Sequence, residues 1–208
     1  IRLTMFLCIP AAVGLSVLAF PIVKTLFPDS GELSGRLLVV GSVSVIFSAL
    51  STITNGVLQA IGKPRIPLRN AAISLALNLA VLCVTAFLIP GMGIFTVLLA
   101  TIVFSVSMCV LNALSLRKYL GHRNDFLNAY GKPLLAAAGM GVAAWVVYYG
   151  LYLILPVRIL CLGLAIVLAI MVYLILYVLV TKTTEEQMRG LPMGNYVVKI
   201  LRILRVFR

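Results

Sequence analysis

The residues whose types and spacing suggest chemistry are neutral hydrogen-bonding ones. Gly41, Ser44, Ser48, Ser51/Thr52, Asn55, Gln59 and Gly62 recur at steps of three and four, which places them on one face of a helix. Asn70, Ser74 and Asn78 repeat the pattern, as do Thr101, Ser105 and Asn112. Hydroxyls and carboxamides so arranged can bond to one another across a helix interface or hold a polar head group. No nucleophile–base pair, C-x-x-C or Cys/His cluster accompanies them. Covalent catalysis is therefore not expected, and neither is a metal or organic cofactor.

The elements that carry these stripes are runs of apolar residues. Of 208 residues, 62% are apolar and 11% charged, against about 45–50% and about 25% in soluble domains. Mean hydropathy is +1.16. A soluble enzyme, a nucleic-acid module and a disordered tail are excluded, leaving an all-α integral membrane protein. Crossing a bilayer takes ~20 apolar residues of helix. On that rule six transmembrane helices are expected: Leu3–Phe27, Leu37–Ile61, Leu68–Ile89, Met92–Leu116, Leu134–Leu155 and Ile159–Val180. Barrel strands would alternate apolar and polar residues, and these runs do not. Pro28-Asp29-Ser30-Gly31, Gly62-Lys63-Pro64, Pro90-Gly91 and Gly121 through Gly131 supply the turns. Spans three and four, joined by almost nothing, should form an antiparallel hairpin.

Within a bilayer the stripes admit two readings. Small residues let helices approach closely, and that accounts for the Ser, Gly and Thr positions. For Asn55, Gln59 and Asn78, packing and the lining of a hydrated cavity remain open; with Asn112 they are the cavity-lining candidates. Carboxamides are costly in lipid without a partner, so all should face the bundle interior. No Asp or Glu sits inside a span, so no acidic coupling site is expected here. Pro10, Gly14 and Pro21 in span one are hinge candidates, because proline removes a helical hydrogen bond and crowds the preceding turn. Cys8, Cys83, Cys109 and Cys161 all lie in apolar runs and read as small hydrophobes.

Charge is the second signal. Seventeen Lys and Arg against five Asp and Glu give +12. Fourteen of the seventeen fall before span one, in the second and fourth loops and in the tail; Lys24, Arg36 and Arg158 fall on the other side. By the positive-inside rule both termini are expected in the cytoplasm. The tail at 184–208 repeats Lys199, Arg202, Arg205 and Arg208 beside Val198, Leu201, Leu204 and Phe207. It reads as a basic amphipathic helix whose partner is anionic membrane lipid, with no nucleic-acid partner expected. His122, without a metal-ligand neighbour, should be solvated. The chain opens on Ile1 directly into an apolar span, and the expectation is a fragment lacking its N-terminal portion.

Three stretches together resemble one family. They are CIPAAVGLSVLAFPIVKTLFP (Cys8–Pro28), SALSTITNGVLQAIGKPRIPLRNAAISLALNLAVL (Ser48–Leu82) and LIPGMGIFTVLLATIVFSV (Leu88–Val106). They are similar to the P-A-x-x-G-L helix, the LQ-x-x-GK turn and the IP-x-x-G-I hairpin of polysaccharide-biosynthesis, stage V sporulation protein B-like flippases of the multidrug/oligosaccharidyl-lipid/polysaccharide superfamily. Phe95-Thr96-Val97 departs from the family's G-A-A in the hairpin. The resemblance implies the C-terminal part of a roughly fourteen-helix, two-lobe fold working by alternating access. Residues 1–120 would complete the C-terminal lobe, 121–183 would be two extra spans, and the missing N-terminal lobe would be a partner. The implied cargo is a polyprenyl-diphosphate-linked saccharide or peptidoglycan precursor, flipped outward across a bacterial inner membrane. Lys63, Arg65 and Arg69 are the local candidates for a first encounter with the diphosphate. The alternatives are a multidrug/cation antiporter of the same superfamily and a non-transport membrane scaffold.

Overall fold

The computed structural model describes residues 2–29, 31–88, 91, 93–120, 131–154 and 157–181. His122, Arg123 and the basic tail lie outside the described residues. All regular structure among the described residues is helical: α1 (Arg2–Val17), α2 (Ala19–Leu26), α3 (Glu32–Ala60), α4 (Arg65–Leu88), α5 (Ile94–Leu120), α6 (Lys132–Ile154) and α7 (Arg158–Thr181). Helices α3 to α7 are each long and apolar enough to cross a membrane, and α1 with α2 makes a sixth crossing only if the bent pair is one span. The chain is a multi-pass membrane protein. Helical closure of the backbone is what a hydrocarbon solvent demands of any such chain.

Span one bends at one place among its described residues. The chain bends by 70° between α1 and α2, at Leu18, while α1 runs unbroken through Pro10. The ring of a proline crowds the carbonyl four residues earlier and leaves it without a helical donor. For Pro21 that carbonyl belongs to Val17, and the helix stops there. Pro21 then sits in the first turn of α2, where a missing N–H costs nothing. For Pro10 the orphaned carbonyl is that of Phe6, and it is rescued: Tyr173 Oη of α7 donates to it at 2.7 Å. The hydroxyl holds straight a helix that its own proline would otherwise weaken. Gly14 has ordinary space around it, with Met140 the nearest side chain at 3.8 Å from a built Cβ, so no close approach there requires glycine.

Two groups of helices result. α6 packs along α7 and α1, and α1 also lies on α3. Cys161, Ala165, Ala169 and Tyr173 are buried on α7 at every fourth residue, in one cluster with Ala137, Met140 and Ala144 of α6, while Gly141 of α6 lies against Val13 and Val17 of α1. Small side chains let the α6 and α7 axes close, as in membrane helix pairs generally. Phe6, Tyr173 and Tyr177 extend the cluster with ring centroids 4.6 to 5.9 Å apart. In the second group α5 lies between α3 and α4, which scarcely touch each other. The hairpin expected of α4 and α5 is present as extensive packing. Gly35 is the tightest join: a Cβ there would stand 2.5 Å from the Phe20 ring, so α2 rests directly on the first turns of α3.

Tyr173→Phe should destabilise the protein by about 1–3 kcal/mol, the cost of a buried carbonyl left unbonded. Thermal unfolding in detergent measures it, with the exposed Tyr149→Phe expected to have no effect.

Candidate functional site

The polar residues of three helices meet on α5. Asn112 is fully buried and Asn70 is 2% exposed. The Nδ2 of Asn112 donates to Asn55 Oδ1 at 2.6 Å and lies 3.1 Å from Thr54 Oγ1 and 3.3 Å from the Ser51 carbonyl oxygen, all on α3. Its Oδ1 accepts from Asn70 Nδ2 of α4 at 3.0 Å. Asn70 also donates to Ser115 Oγ at 3.2 Å, and the Ser115 hydroxyl donates in turn to the Leu111 carbonyl at 2.8 Å. One carboxamide therefore bridges α3 and α4, two helices that otherwise barely meet. Toward the middle of the bundle, Ser48 and Ser105 hydroxyls bond at 3.0 Å between α3 and α5. Ser74 Oγ of α4 lies 3.9 Å from Met108 Sδ. Ser105, Met108, Asn112 and Ser115 follow at three- and four-residue steps, so α5 presents them as one stripe.

The four cavity-lining candidates separate. Asn55 and Asn112 belong to the network; Gln59 and Asn78 do not, and neither side chain hydrogen-bonds among the described residues. Gln59 is exposed and Asn78 half-buried. The reason for Gln59 is depth. α3 has 29 residues, roughly 43 Å at 1.5 Å per residue, well beyond a hydrocarbon core of about 30 Å. Gln59 lies in its last turn, where a helix of that length can extend past the hydrocarbon and a carboxamide needs no protein partner. Several hydroxyls of the α3 stripe turn onto their own helix instead: Ser44 to the Gly41 carbonyl at 2.7 Å, Ser51 and Thr52 to the Ser48 carbonyl at 2.9 Å each. Thr54 and Ser115 were not singled out in the sequence, since one sits a position off the α3 stripe and the other is a lone serine. Asn70 was visible only as a stripe member.

At the end of α3 the chain turns sharply. Gly62 has φ +74°, a conformation other residues adopt at a cost. Its N–H bonds the Gln59 carbonyl and the Lys63 N–H bonds the Leu58 carbonyl, both at 3.0 Å, which satisfies two carbonyls the helix leaves open. Leu58, Ile66 and Leu116 form a small apolar cluster beneath the turn. Lys63, Arg65 and Arg69 are all exposed. On the opposite group of helices a cleft of about 550 Å³ lies between α1, α6 and α7, bordered by Phe6, Pro10, Gly14, Met140, Ala169 and Tyr173 among others. Two of the hinge candidates, Pro10 and Gly14, thus line a cleft whose walls are almost wholly hydrocarbon.

The arrangement can hold, orient and exclude water, and among the described residues no His, Asp or Glu side chain belongs to it. Among the described residues no three His, Cys, Asp or Glu side chains gather as a metal would need. Comparison with family models, with curated proteins and with solved structures finds no match for this chain.

Asn112→Ala should cost about 1–3 kcal/mol, since it strands donors and acceptors on two other helices. Asn78→Ala should stay within about 0.5 kcal/mol. A double-mutant cycle of Asn70→Ala with Asn112→Ala should show a coupling of about 0.5–1.5 kcal/mol.

Proposed function

We propose that the chain is the C-terminal part of a bacterial inner-membrane flippase that moves a polyprenyl-diphosphate-linked saccharide, or a peptidoglycan precursor, to the outer leaflet by alternating access. The observation that carries this reading is the division of the molecule's chemistry. Exposed Lys63, Arg65 and Arg69 stand at the turn and first residues that join two helices long and apolar enough to cross a membrane, and an almost purely apolar cleft of about 550 Å³ lies among α1, α6 and α7. Cations suit a diphosphate, and a hydrocarbon-walled cleft suits an isoprenoid chain but offers a hydrophilic drug or a metal cation nothing to bond. The LQAIGKP segment that resembles the family's turn supports the same reading. Its Leu58, Gly62 and Lys63 make the turn on which the cations stand.

The orientation belongs to the proposal: with both ends cytoplasmic, Lys63, Arg65 and Arg69 meet the cargo on the side where it is made. Asn112, Asn70 and Thr54 would then act as a fixed joint rather than as a cargo contact, because buried and mutually bonded side chains have no donors to spare. Asn55, only half-buried, and the exposed Gln59 keep room for a sugar.

The test is complementation of a flippase-deficient bacterium by the full-length protein, with membrane abundance measured alongside. Rescue by the unaltered protein and its loss in Lys63→Gln/Arg65→Gln/Arg69→Gln at normal abundance is the expected result. No rescue by the unaltered protein would reject the transport reading. Rescue by the triple variant would reject the encounter role of the three cations.

A further inference from the structure

The end of the α3–α4–α5 group where Gly62 turns the chain gathers more positive charge than the α3–α4 turn supplies. Arg117 and Lys118, in the last turn of α5, are exposed as fully as Lys63, Arg65 and Arg69. Three independent contacts put all five at one place. The bonds from Asn70 to Asn112 and Ser115 fix the antiparallel register of α4 on α5, so the first turn of α4 lies level with the last turn of α5. Ile66 packs with Leu58 and Leu116. The ammonium groups of Lys63 and Lys118 stand 5.9 and 6.0 Å from the centroid of one ring, that of Tyr119, which is 47% exposed.

Nothing described at that end neutralises these charges. The carboxylates among the described residues are Asp29 and Glu32, and Glu32 begins the helix whose far end is Ala60. It is also already engaged by Arg36 at 3.5 Å. Five like charges on one small surface raise a potential that collects anions. The two ammonium groups lie within cation–π range of one aromatic ring, and the backbone of Lys63 is fixed by the Gly62 turn.

We infer that this end binds a phosphate group carried by a membrane lipid. Lys63 and Lys118 contact the phosphate oxygens as two ammonium arms. Arg65, Arg69 and Arg117 supply the surrounding field and forked donors. Tyr119 is the platform between the arms, its ring toward the hydrocarbon and its hydroxyl toward water, as tyrosines sit at membrane interfaces. The inference goes beyond the transport reading, because such a site serves a resident lipid as well as a cargo.

Native mass spectrometry of the full chain in mixed lipid micelles tests it, with phosphatidylglycerol, phosphatidylcholine and farnesyl diphosphate as probes and inorganic pyrophosphate as competitor. The unaltered chain should retain phosphatidylglycerol and farnesyl diphosphate over phosphatidylcholine. Lys63→Gln and Lys118→Gln should each lower that retention about fivefold. Tyr119→Leu should weaken it while Tyr119→Phe, which keeps the ring, should not. Lys24→Gln/Arg36→Gln removes two charges from the opposite end and should change nothing. An equal loss in that control pair, or no preference in the unaltered chain, overturns the site. Displacement of the lipids by pyrophosphate at matched concentration assigns the site to soluble phosphates and overturns the lipid-borne claim; failure to displace them supports it.

Discussion

In a hydrocarbon solvent a backbone or side-chain polar group without a partner costs far more than the same group in water, and the architecture follows from where such groups were given partners. Two places decide it. The carbonyl of Phe6, orphaned by Pro10, is bonded by the Tyr173 hydroxyl, which ties α1 to α7. The carboxamide of Asn112 takes donors and acceptors from α3 and α4 together, which ties those helices to α5. Most remaining contacts are between apolar surfaces that lipid tails satisfy almost as well, so they pack the helices without choosing their neighbours. The polar bonds choose.

That division explains how the two groups of helices differ in character. Around α6 and α7 the join is shape, with small residues such as Ala137, Ala144, Cys161 and Ala165 in the buried cluster and the Tyr173 hydroxyl as a polar tie to α1. Around α5 the join is a ladder of hydroxyls and carboxamides, from Ser105 through Asn112 to Ser115. α4 depends on that ladder most. It touches α3 little and shows Leu68, Leu75, Leu79 and Phe87 outward, so α5 is its main anchor. The break at Leu18 lies where the two groups meet, since α1 contacts α3 and α6 while α2 leans on Gly35 of α3.

Helical class and the five spans α3 to α7 were legible in the sequence because length and hydropathy are local properties, and the bilayer enforces them. The position of the bend was not. Pro10 and Pro21 look alike in sequence, and which one breaks the helix depends on a hydroxyl 167 residues away from Phe6. Periodicity showed that Asn55, Gln59 and Asn112 lie on helix faces, but it carries no depth. It therefore could not tell Asn55, bonded to Asn112, from Gln59, exposed one turn further on. Asn70 and Ser115 became visible as partners only once α4 was seen to pack on α5. The same holds for Lys63 and Lys118, which share one ring though neither charge pattern nor spacing joins them.

The central claim is that polar contacts seat α5 between α3 and α4, and a cross-link across the Ser48–Ser105 hydrogen bond tests it most directly. The two hydroxyl oxygens are 3.0 Å apart, so cysteines at both positions, in a chain whose native cysteines are alanine, should form a disulfide in native membranes under mild oxidation. Ile53→Cys paired with Ser105→Cys, more than a turn away along α3, should not. A Ser48–Ser105 pair that stays reduced at normal abundance, or that links no better than the Ile53 pair, would contradict the arrangement.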